Sequence, residues 1–160
     1  MARSAFIEFK KGNSIPASQI ASTIQRICND TNILCNKFSE KFNDSNQLKY
    51  IRLGISDIPI EIANSNLRTI RFNIFDEPYE YREAKYEWDI SGIEYFRAVS
   101  VENIFDNSDL FLKIINSLFK ECPEAKFWTE NDWFYTLKDL EKIQNQEFNK
   151  LWFVTNPKDL

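Results

Sequence analysis

The chain begins with a short apolar run, SAFIEFKKG, in which Ala5, Ile7 and Phe9 alternate with other side chains until Gly12 closes it, the period of a strand. From Pro16 the period changes. Ile20, Ile24, Ile27, Cys28, Leu34, Cys35, Phe38 and Phe42 recur at helical spacing, and proline suits a first helical turn, so the pattern predicts one long helix that ends at the polar NDSN of 43–46. LKYIRLGIS (48–56) then reads as a strand. Pro59 and the NSN of 64–66 interrupt, and LRTIRFNIF reads as another strand with Ile70, Phe72 and Ile74 on one face.

In the following segment, DEPYEYREAKYEWDISGIEYF (76–96), Ser91 and Gly92 stand between two apolar and aromatic runs, the signal of a two-residue hairpin turn between antiparallel strands. A helix over 77–90 is the alternative, with Asp76 as cap and Pro78 in the first turn, but no single apolar stripe recurs at the helical period of about 3.6 residues. Downstream, NSD (107–109) caps a helix whose Leu110, Phe111, Ile114, Ile115, Leu118 and Phe119 form one face before Pro123 stops it. AKFW and DWFYT read as short strands around the turn TEND, LKDLEKIQNQEF as a third helix and LWFVT as a last strand. Strands interspersed with about three helices, joined too closely for repeated parallel crossovers, predict an α+β fold: an antiparallel or mixed sheet covered by helices in a single pair of layers. With 160 residues, no repeat and no linker-like stretch, residues 1–160 read as one domain.

Composition narrows the chemistry. Histidine is missing, which removes imidazole bases, His-activated nucleophiles and histidine metal ligands. Glycines at 12, 54 and 92 are too far apart to form a phosphate-cradling loop. Carboxylates remain. The acidic-x-Lys triplet of metal-dependent nucleases occurs at Glu8-Phe9-Lys10, Glu83-Ala84-Lys85 and Glu124-Ala125-Lys126, but a chain with 24 acidic residues produces such triplets by chance. Cys28, Cys35 and Cys122 are an odd number for a disulfide framework, and the first two lie on the apolar stripe of the predicted long helix, so all three read as buried thiols. No cofactor or metal is expected.

A net charge of -4 and a pI near 5.0 oppose nucleic-acid binding, which depends on excess Lys and Arg, and point to a basic partner. No apolar run approaches the roughly 18 residues of a membrane span and the first residues do not resemble a signal peptide, so a soluble, cytoplasmic protein is expected. The charge is concentrated. Between Asp76 and Glu94 seven carboxylates face only Arg82 and Lys85, a local net of -5, among four tyrosines and a tryptophan in 76–96. Tyr and Trp offer rigid contact area and clustered acids steer a basic partner, so Asp76, Glu77, Tyr79, Glu80, Tyr81, Glu83, Tyr86, Glu87, Asp89 and Glu94 are the expected partner-binding residues, and no catalytic residue is assigned.

In size, charge and this acidic aromatic stretch the chain resembles the immunity proteins of bacterial toxin systems, such as those of contact-dependent growth inhibition. Those families share no motif, so no residue carries over by position. The resemblance implies a non-enzymatic protein that binds and blocks one cognate protein toxin with a basic surface, often a nuclease, by mimicking phosphate charge. The alternatives are a metal-dependent hydrolase or nuclease built from carboxylates, and an adaptor domain.

Overall fold

A computed structural model describes residues 4–59, 68–77 and 82–160. Among these residues seven strands make one open sheet: β1 (Ala5–Lys10), β2 (Leu34–Phe42), β3 (Leu48–Ser56), β4 (Ile70–Phe75), β5 (Glu83–Ala84), β6 (Tyr95–Glu102) and β7 (Lys126–Trp128). Its order is β2-β3-β4-β6-β1-β7, with the two-residue β5 also paired to β6, and every pairing is antiparallel. Three described helices accompany it: α1 (Ala17–Asp30), α2 (Ser108–Glu121) and α3 (Leu137–Gln144). This is an α+β fold.

Alternation along the strands decides which face the helices cover. Ile7 and Phe9 of β1, Ile51, Leu53 and Ile55 of β3, Ile70, Phe72 and Ile74 of β4, and Phe96, Val99 and Val101 of β6 are all buried on one side. Against them α1 presents Ile20, Ile24 and Ile27, and α2 presents Phe111, Ile114, Ile115 and Phe119, with α3 packed on α2. In β6 the alternation survives a bulge that skips Ala98 between the pairs Ile7–Val99 and Glu8–Arg97.

The caps come partly from far along the chain. Thr136 and Asp139 form a capping box at the start of α3. Pro16 gives α1 no side-chain cap, and the Asp76 carboxylate, just past β4, accepts from the Ala17 amide at 2.9 Å instead. Arg68 clamps two more elements: its guanidinium donates to both oxygens of Asp57 at 3.0 and 2.8 Å, after β3, and to both oxygens of Asp109, at the start of α2, at 3.0 Å.

Several expectations are corrected. The long helix stops at Asp30, and residues 34–42 are a strand. Asn32 takes φ 56°, a left-handed conformation that asparagine tolerates, and reverses the chain. Leu34, Phe38 and Phe42 keep helical spacing by coincidence and are 42–46% exposed, whereas the face of a core helix would bury them. The hairpin around Ser91-Gly92 is looser than a two-residue turn: β5 and β6 pair through Glu83–Phe96 and Ala84–Tyr95, and residues 85–94 form a looped excursion. Residues 151–155 are not a strand, since Trp152 and Phe153 are both buried in a 3-10 turn (Trp152–Val154), as alternation would not allow. DWFYT contributes a single bridge, Tyr135 to Phe127.

Candidate functional site

Side chains that alternate away from the helices meet on the opposite face of the sheet. There β1 sends out Phe6 and Glu8, β6 sends out Tyr95, Arg97 and Ser100, and β7 sends out Lys126 and Trp128. The loop after β5 folds back over this face and sets Tyr86 in the middle of it. The Tyr86 ring centre lies 4.7 Å from Trp128, 5.3 Å from Trp88 and 5.4 Å from Phe134, and Phe6 stacks on Trp128 at 6.0 Å. Cations interleave: Arg97 lies 4.4 Å from the Phe6 ring centre, Arg82 lies 3.8 Å from Phe75 and Lys126 lies 5.0 Å from Phe134.

Beneath this layer is a charged residue with no solvent exposure. Glu8 is 0% exposed; its Oε1 accepts from the Tyr86 hydroxyl and, at 3.2 Å, from Arg97 Nε, while Oε2 has no hydrogen-bond partner among the described residues. Burial raises its pKa from 4.5 to about 7, against the opposing pull of Tyr86, Arg97 and Arg82. Burial, then the adjacent Glu8 charge, pushes the Tyr86 hydroxyl above its ordinary range. An acid that titrates near neutrality has the proton affinity of a general acid or base, but this one is sealed away from any reactant. Its geometry is that of an anchor that holds Tyr86, and with it the loop, to β1 and β6. A cleft of about 640 Å³ opens along the same face, bordered by Phe6, Arg82, Ser100, Glu102, Phe105 and Asp106, and Glu8 does not line it. Among the described residues no three Cys, Asp or Glu side chains converge as a metal site would need.

The described parts of the acidic segment edge this face, and most of their carboxylates are engaged within the chain. Asp76 caps α1, and Glu77 accepts from the amides of Gly12 at 2.9 Å and Ser14 at 3.2 Å, fixing the loop between β1 and α1. Glu83 and Glu94 share Lys11, each 3.2 Å from its Nζ. Asp89 accepts from the Ser91 amide at 3.2 Å, the Ser91 hydroxyl at 2.9 Å and the Tyr95 hydroxyl at 3.1 Å, which closes the turn. Tyr86 is buried, so it is an internal anchor. Glu87 is exposed. Tyr79, Glu80 and Tyr81 lie outside the described residues. At the tip Ile90 is 103% exposed.

Sequence reasoning did not single out Glu8, Arg97, Trp128 or Phe134 as members of this face. For Glu8 a signal was available: an acid in the middle of the apolar run AFIEF is either on a solvated strand face or held by buried partners. For the others only the pairing of β1 with β6 and β7 brings them together, and that pairing has no local signature. No family model, no curated protein and no solved structure matches the chain. No described helix is long and apolar enough to cross a membrane.

Proposed function

We propose that this chain is a non-enzymatic binding protein of the immunity type, working in the cytoplasm of the cell that makes it by docking on a cognate toxin with a basic surface. The observation that carries the reading is the rim loop: a fully exposed Ile90, with the exposed Glu87 nearby, on a loop pinned from beneath by buried Tyr86 and Tyr95. A preorganised projection loses little entropy on binding, and an apolar tip among acids suits a basic pocket with an apolar floor. Glu83 and Glu94, about half exposed and sharing one lysine, extend the negative rim. Asp89 closes the turn of this loop, while Asp76 and Glu77 are engaged with α1 and the loop before it, so the partner meets fewer carboxylates than the sequence counts.

The test is co-expression with the toxin encoded beside this gene in its native locus. Growth should be restored by the wild type, weakly by Glu87→Lys combined with Glu94→Lys, and not by Ile90→Asp. In vitro the charge reversals should slow association and reduce its salt dependence, while Ile90→Asp should speed dissociation. Full protection by all three variants, folded as judged by circular dichroism, would exclude this loop as the docking surface.

A further inference from the structure

Strand register lines up one row of side chains across the face of the sheet opposite the helices. Ser39 of β2 stands opposite Arg52 of β3, Arg52 opposite Asn73 of β4, Asn73 opposite Ser100 of β6, Ser100 opposite Phe6 of β1, and Phe6 opposite Trp128 of β7. Residues paired directly across antiparallel strands point to the same face, as do residues two apart on one strand. The flanking sets Gly54–Arg71–Glu102 and Tyr50–Phe75 therefore share it. Tyr86 and its loop roof the end over β7. Over β3 and β4 the side chains reach solvent: Arg71 is exposed, and Tyr50, Arg52 and Phe75 are half-buried.

On this open half guanidinium groups and rings alternate. Arg71 lies 6.0 Å from the Phe38 ring centre, Tyr50 lies 5.1 Å from Phe75, and the Arg82 guanidinium lies on Phe75 at 3.8 Å. Phe38, 42% exposed, covers Gly54, where any side chain would collide with its ring. Arg52 is held through Nε, which donates to Asn73 Oδ1 at 2.7 Å, so its terminal nitrogens are left to a ligand. The acids on this face do not cancel the charge. Glu8 is buried and paired with Arg97, and Glu102, opposite Arg71, accepts from Asn73 at 3.3 Å.

We propose that the open half of this face binds single-stranded nucleic acid, with Arg52 and Arg71 on phosphates and with bases stacked on Phe38, Tyr50 and the Arg82 guanidinium. Guanidinium forks match phosphate oxygens, and ring and guanidinium planes stack unpaired bases with little regard to sequence. An acidic peptide would use the cations and leave the rings idle, while a duplex keeps its bases stacked inside. The cleft of about 640 Å³, bordered by Arg82, Ser100 and Phe6, opens at the end of the row with room for one base. Glu102 and Asp106 on its border can accept from the uncharged amino groups of bases. The net charge of -4 describes the whole chain, whereas the phosphates meet this face, where the arginines outnumber the exposed acid. The surface does not include the Ile90 tip and needs no toxin partner.

The experiment titrates a fluorescently labelled single-stranded DNA of mixed sequence with the purified chain and reads its anisotropy, the fold of each variant being checked by circular dichroism. Binding should weaken about sevenfold over a fourfold rise in salt, as two phosphate contacts on a single strand require. Arg71→Ala should bind less tightly and reduce that factor to about threefold, whereas Phe38→Ala should weaken binding about fivefold or more and leave the salt factor unchanged. Lys113→Ala, which removes an exposed cation of α2 on the far side of the sheet, should bind as the wild type does. A duplex of the same sequence should bind more weakly than the single strand, and polyglutamate should not displace it. Absence of binding at low salt, equal losses from Arg71→Ala and Lys113→Ala, or wild-type binding by Phe38→Ala would overturn the proposal. So would a duplex that binds as tightly, or displacement by polyglutamate, which would make the face a site for an acidic peptide.

Discussion

Glu8 is the residue whose removal has the most defined consequence. Unfolded, it titrates near 4.5; folded, near 7. Below pH 4.5 both states hold the proton. As pH rises toward 7 the unfolded chain releases it first, so folded stability should fall by roughly 3 kcal/mol across that interval and level off above it. Glu8→Gln should flatten this slope, as measured by denaturant unfolding at several pH values; an unchanged slope would place the titration elsewhere. Tyr86→Phe removes the hydroxyl that donates to Oε1 and should cost about 1–3 kcal/mol, because it leaves a buried acceptor short of a partner. A loss confined to well under that range would mean that water replaces the hydroxyl and that the loop is held by its ring contacts.

At the scale of elements, contacts from distant segments decide what local pattern leaves open. α1 begins without a cap of its own, so Asp76→Ala should lower stability by about 1 kcal/mol, whereas Glu87→Ala, which removes only an exposed charge, should leave it within about 0.5 kcal/mol. Equal effects would contradict the division of the acidic segment into supporting and exposed carboxylates. Arg68→Ala releases Asp57 and Asp109, whose carboxyls its hydrogen bonds hold below their ordinary 3.8. The stability they contribute is present above that value and lost as pH falls through the folded pKa, so the variant should lose roughly 1 kcal/mol at neutral pH in low salt and less in high salt, the acids being about half exposed. The strands β1, β3 and β4 and helix α2 were legible in the sequence because each alternates or stripes strongly against one core. β2 was not: its apolar residues, Leu34, Phe38 and Phe42, continue the stripe of α1, and only the left-handed Asn32 separates the two elements. The acidic rim was legible as a run of charge, but the division of its carboxylates between internal partners and solvent depends on Lys11, Gly12, Ser14 and Ala17, all on the other side of β2, β3 and β4 in the chain. Glu83 and Glu94 meet only because β5 lies beside the start of β6.

Across the whole molecule, protection should follow the sheet order. Amides of β1, β3, β4 and β6, each flanked by strands on both sides, should be the slowest to exchange with solvent, and those of β2 that point to the free edge the fastest of the strand amides. Uniform protection across the sheet would indicate that another chain covers the edge in solution. That same order has a consequence during synthesis. β1, made before the six other described strands, has no strand partner within the first half of this sequence: it pairs with residues 95–101 on one side and 126–128 on the other. β2, β3 and β4, consecutive and paired in sequence, can assemble with α1 while translation continues, but Ile7 and Phe9 must wait until the second half of the chain has been made. During that interval the nascent protein displays an unpaired apolar strand, a target for a holding chaperone, and a ribosome stalled before residue 95 would produce a fragment in which β1 has no place to dock.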